Sequence, residues 1–297
     1  MGTDSIIRYR GFAGGRVKSP NIWHECPAAE IDIGMADGIH FFDDFTAGYE
    51  LAAGSSLTKL GRYECIADSG ASLTTEDDTT ATDASGMWGA QEFVAGTTAD
   101  ADLVMQLGGG GAYSISSTKA DAKKLVFEAR LKVSTIVDGV SSFFVGLGEP
   151  SRAVNAGVFT TTQGDTVDTA MADAAFIGFW RSDADGNGLN FIYSANGQTA
   201  VDHIVDVHTL VADTYVKVGF FYNPDEIKAR RIKVYADNVQ NLATYVTSTN
   251  ISAATFPEGE VMSPVIGHNN DDGSTACTLT VDWWGASQWV AGATSAG

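Results

Sequence analysis

The sequence predicts an all-β protein, a two-sheet antiparallel jelly-roll sandwich carrying an extended N-terminal arm. Three observations support this. The chain holds 33 glycines but only six prolines, and it is rich in Thr, Ser, Val and aromatic residues, a composition suited to strands and tight turns. Segments with a 3.6-residue apolar period are scarce, whereas short alternating runs recur between turn signals. Hydrophobic residues make up 44% of the 297, enough for a real core rather than general disorder.

The elements follow in order. Residues 1–38 lack strong alternation and read as the arm; 39–290 carry the sandwich; 291–297 are small and polar and read as a flexible tail. In "KKLVFEARLKVS" (123–134), Leu125, Phe127, Ala129, Leu131 and Val133 face one way. Lys124, Val126, Glu128, Arg130 and Lys132 face the other, which predicts a strand with one wet face. "SSFFVGLGE" (141–149) is denser and reads as a central strand. "AAFIGFWRS" and "LNFIYS" flank the turn "DADGNG" as a hairpin, and "TYVKVGFFYN" with "RRIKVYADN" forms another. "CTLTVDWWGASQW" (277–289) closes the set. Nine to fourteen strands are expected in all. Residues 73–89 and 151–174 read as long surface segments.

Charge narrows the partners. Eighteen basic residues face 37 acidic ones, a formal net charge of -19, which repels nucleic acid. The first 20 residues run against this trend, with Arg8, Arg10, Arg16 and Lys18 against Asp4 alone. Together with Tyr9, Phe12 and Trp23, these arginines make the arm the expected partner-binding segment. No apolar run reaches membrane-spanning length. The N-terminus has no hydrophobic signal core, and Ile6 stands where a myristoylation site wants Ser or Thr. Three widely spaced cysteines fit a chain folded in a reducing cytosol.

The order of blocks resembles a known group. It runs "IHFFDDFTAG", "GRYECIADSGAS", "KLVFEARLKVSTI" and "SSFFVGLGEP", then "AAFIGFWRSDADGNGLNFIYS", "DTYVKVGFFYNP" with "IKVYADN", and "CTLTVDWWGASQWV". Over about residues 39–290 it is similar to tailed-bacteriophage virion structural proteins, head decoration or minor capsid proteins with a concanavalin A-like (laminin-G-like) jelly roll. The resemblance implies a non-enzymatic capsid decoration protein on the outer surface of the head, assembled in the host cytoplasm. Its implied partners are the major capsid protein and copies of itself. The shared positions are core positions, so no functional residue is carried over. The alternative is a lectin-like carbohydrate-binding module on the virion, or a tail-associated structural protein.

Other motifs give weaker signals. "EIDIG" (30–34) is reminiscent of the E-I-D-I-E strand of some glycan-cleaving enzymes. Gly34 stands where the acid/base Glu is needed, so no catalytic residue is expected. "DADGNG" matches half a calcium loop through Asp183, Asp185 and Asn187, but Ser194 occupies the twelfth position. It reads as a plain turn, with calcium as a weak candidate and no other cofactor expected. "HNNDDG" (268–273) reads as a loop. In "TVDWWGASQW", strict alternation puts Trp284 on the side opposite Val281, as a candidate glycan or subunit contact.

Overall fold

The computed structural model describes residues 22–23, 38–46, 48–68, 70–75, 89–99, 101–108, 110–118, 123–152 and 174–289. The segments that hold Arg8, Tyr9, Arg10, Phe12 and Arg16, the "EIDIG" stretch, most of the two long surface segments and the tail lie outside these residues.

Sixteen strands are present among them, two more than the upper expectation. In chain order they are β1 (Gly38–Asp43), β2 (Thr58–Leu60), β3 (Tyr63–Ala67), β4 (Ala71–Thr75), β5 (Gln91–Ala95), β6 (Ala101–Leu107), β7 (Leu125–Val133) and β8 (Ser141–Gly148). There follow β9 (Phe176–Arg181), β10 (Gly188–Ser194), β11 (Val201–Thr209), β12 (Val216–Tyr222), β13 (Ile232–Ala236), β14 (Val239–Gln240), β15 (Ser263–Asn270) and β16 (Cys277–Trp289). A 3-10 turn (Lys228–Arg230) precedes β13, and a one-turn helix, α1 (Ser248–Ile251), follows β14. Among the described residues no helix is long and apolar enough to cross a membrane.

The strands form two antiparallel sheets of eight. The first runs β14-β13-β12-β7-β16-β5-β4, with β1 also paired to β16; the second runs β11-β10-β9-β8-β15-β6-β3-β2. Both expected hairpins form, β9 with β10 and β12 with β13. The expected central strand is β8, which lies between β9 and β15 and is buried along its whole length. The alternating residues of β7, Leu125 to Val133, point into the main core beside Phe220, Phe191 and Trp284. One face of each sheet buries this core, as two-layer packing demands.

Three expectations are corrected. The outward face of β7 is wet only toward Arg130 and Lys132, which keep exposed surface, whereas Val126 is fully buried and Glu128 is 1% exposed. Ile22 and Trp23 lie over it with Phe221, Tyr235 and Trp289. Trp284 is 0% exposed and touches neither solvent nor a partner. A bulge in β16, where Val281 pairs with Leu131 and Trp283 with Arg130, inserts one residue. Val281 and Trp284 therefore share the core face, and Trp283 turns outward against Phe42. "HNN" is not a loop either. His268, Asn269 and Asn270 end β15 fully buried, because each polar side chain finds a partner: Phe93 O, Asp102 and Thr275 O, respectively.

Candidate functional site

The β9–β10 turn holds the weak calcium candidates. Arg181, buried at the end of β9, sends its guanidinium back into the turn. Its Nε and Nη2 donate to Gly186 O at 3.0 and 2.7 Å, and Nη1 donates to Ser141 O. Burial lowers the Arg181 pKa, and the carboxylates of Asp183, Asp138 and Asp185 oppose that shift. The turn therefore carries its own cation among carbonyls and carboxylates. Asp185 Oδ2 also accepts from Asn190 Nδ2 at 2.7 Å. No group of three or more His, Cys, Asp or Glu among the described residues is arranged to hold a metal ion. Chelator is accordingly expected to leave the melting temperature unchanged. A drop reversed by calcium, and weakened by Asp185→Ala, would show a bound ion acting through linkage.

A second polar cluster is sealed in the interior. His268 is fully buried, and its Nδ1 sits 2.8 Å from Phe93 O, so Nδ1 carries the proton. Nε2 then accepts from Ser141 Oγ at 3.1 Å, with Cys277 Sγ at 3.5 Å. Burial pushes His268 down to about 4 and Cys277 up to about 12. Ser141 beside His268 has the spacing of a nucleophile and its base. No substrate reaches it here, since neither residue has exposed surface.

The outer face of the first sheet carries a clasp. Gly219 on β12 and Gly285 on β16 flank Glu128 on β7. A Cβ at Gly219 would lie 2.9 Å from Ile22, and one at Gly285 3.6 Å from the Trp23 ring. The two glycines thus open a shallow seat. Trp23 enters it and donates from Nε1 to Glu128 Oε2 at 2.5 Å, while Lys217 Nζ lies 3.6 Å from Oε1. Desolvation pushes Glu128 up to about 7, against the pull of Lys217 and Trp23. Trp23 is therefore held by its own chain and is not a free hot spot for a partner. Glycine inside two strand runs, "KVGFF" and "DWWGA", was the available sequence signal for this seat.

A concavity lies elsewhere on the described residues. At one end of the sandwich the edges β11 and β13–β14 face each other, leaving a groove of about 670 Å³. Ile204, Ile232 and Val234, all core residues, form its floor. The 3-10 turn and the segment after β14 supply the walls. From them Ile227, Leu242 and Tyr245 project, Tyr245 57% exposed. Arg230, Lys233, Glu226, Gln240 and Asn241 share the lining. The volume lies within the roughly 300–1,000 Å³ of ligand pockets. Sequence reasoning missed this site. The signal was "KARRIK" (228–233), four of the chain's 18 basic residues in six positions.

No family model and no curated protein match the sequence. Solved structures do. Lectin II from Ulex europaeus superimposes with a TM-score of 0.51 at 13% identity, over 86% of this chain and all of the lectin. A Shewanella oneidensis MR-1 protein of unknown function gives 0.50 at 14% identity, over 91% of this chain and 97% of its own. The fold is that of the concanavalin A-like lectins. A separate structure of the Ulex lectin holds galactose and superimposes equally well. At these identities the likeness speaks to the lectin fold alone. Trp284 belongs to the core of that fold, and the edge groove is one open concavity on it.

Proposed function

We propose that the protein is a non-enzymatic structural protein of a bacteriophage virion. In this reading the lectin-fold body sits on the outside of the head shell, and the N-terminal segment ties it to the major capsid protein. The observation that carries the reading is the match of the virion-like blocks to the sandwich, in order, from "IHFFDDFTAG" at β1 to "CTLTVDWWGASQWV" at β16. The clasp supports it as well. It fixes Ile22 and Trp23 to the body. Contact with the capsid requires no cofactor, and many copies add buried interface to the shell.

Deleting residues 2–20 tests this, because it removes the basic residues and spares the clasp. The shortened protein is expected to keep a near-native melting temperature and to stop co-sedimenting with empty capsids. Changing Arg8, Arg10 and Arg16 to Ala should weaken attachment partially, and more so as salt rises. Capsid binding as tight as that of the full chain would move the interface onto the sandwich.

A second reading is favoured by one observation, the edge groove with its exposed Tyr245. A phenol ring open to solvent beside side-chain amides suits the apolar face and hydroxyls of a sugar. On this reading the virion protein also binds carbohydrate.

A further inference from the structure

We infer that the edge groove takes a saccharide bearing carboxylates, with Tyr245 as the stacking platform and Arg230 as the carboxylate partner; this deepens the carbohydrate reading and rests on it. The first ground is local charge. The chain carries a net charge of -19, and such a surface repels acidic ligands almost everywhere. The groove's charged lining runs the other way, with Arg230 and Lys233 against Glu226 alone. Lys228, Arg230, Arg231 and Lys233 stand together, with no acid between Glu226 and Asp237.

The second ground is the state of each cation. Arg231 is buried and committed to Glu226 O and Ser117 O. Lys228 donates to Ser252 Oγ at 2.9 Å, and Lys233 lies 3.4 Å from Glu226 Oε1. Arg230 is exposed on the groove wall, and its guanidinium has no partner among the described residues. A free guanidinium presents a planar fork that matches a carboxylate with two parallel hydrogen bonds.

The third ground is what surrounds Arg230. Tyr245, more than half exposed, offers an aromatic face. Asn241 folds its Oδ1 back onto the amides of Ala243 and Thr244, both at 3.1 Å. That leaves its Nδ2 as an uncommitted donor on a residue that lines the groove, as Gln240 does. A sugar ring has one face of C–H groups and a rim of hydroxyls, and both need matching partners. A purely apolar peptide anchor would leave these amides and the guanidinium unpaired. Aromatic face, amide donors and free guanidinium together describe an acidic sugar.

The test is calorimetric titration of the full chain with oligogalacturonate, with a neutral galacto-oligosaccharide of equal length, and with a polyglutamate peptide. Oligogalacturonate is expected to bind, at least about tenfold more tightly than the neutral chain, and to weaken with salt. Tyr245→Ala and Arg230→Gln should each cost about tenfold in affinity. Both side chains are exposed, so the melting temperature should not move, and that measurement accompanies each variant. If the acidic sugar binds but both variants bind as the wild type does, this groove is the wrong site while the carbohydrate reading stands. Equal affinity for the neutral chain overturns the acidic class. Binding of polyglutamate alone overturns the saccharide. Binding of none of the three at about 10 mM removes the inference and the carbohydrate reading together.

Discussion

Trp284→Ala is expected to destabilise the protein by about 3–5 kcal/mol, the usual cost of emptying a large aromatic site in a core. Trp284 stacks on Tyr63 at 5.9 Å and on Phe45 at 6.3 Å, and meets Phe41 edge-on at 5.2 Å. Its Nε1 lies 3.3 Å from the Tyr63 hydroxyl, which itself donates to Asp43. Asp43 is ion-paired to Arg62 at 2.8 Å. Truncation would open a cavity among three rings and remove one end of this polar chain, so little relaxation can fill the space. Trp283→Ala, on the outward side of the same bulge, should cost much less. Urea unfolding of the two variants decides the matter. Equal, small losses would mean that Trp284 is on the surface after all, as strict alternation had put it.

The bulge shows where sequence reasoning stops. Alternation in β7 was legible and correct on the core side, because nothing interrupts its period between Leu125 and Val133. In β16 a single inserted residue reverses the faces beyond Val281, and no turn residue marks the insertion in "TVDWWGA". The outward face of β7 failed for another reason. Glu128 and Lys132 look alike in a strand pattern, and only the glycines on the neighbouring strands distinguish the covered one. The lectin-like sandwich was therefore readable from the pattern, since fold follows the period of many residues. The groove was not, since it is made where the sheet edges β11 and β13–β14 meet from distant parts of the chain. The basic cluster beside it was visible but had no meaning until the edges were in place.

Glu128→Gln is expected to stabilise the protein at pH 8, by up to about 3 kcal/mol, and to change little near pH 4.5. Glu128 is held at about 7 in the fold against 4.5 for an ordinary Glu. Between those values the folded state binds the proton more tightly than the unfolded chain does. Stability from this group is thus fully present below pH 4.5 and is lost as the pH rises through 7. The shift corresponds to about 3 kcal/mol at about 1.4 kcal/mol per pH unit. Gln resembles the protonated carboxyl and keeps an acceptor for the Trp23 indole, so the variant should not show the alkaline loss. His203 and His268, both pushed down to about 4 by burial, act in the opposite sense. Their contribution is present above 6.5 and lost as the pH falls toward 4. These losses are common to wild type and variant, so the difference between the two proteins isolates Glu128. Chemical denaturation of both at pH 4.5 and pH 8 measures it. A variant that is less stable at pH 8 would mean that the ionised Glu128–Lys217 pair, 3.6 Å apart, outweighs its own burial. Trp23 would then be clasped by charge and not by the apolar seat around it.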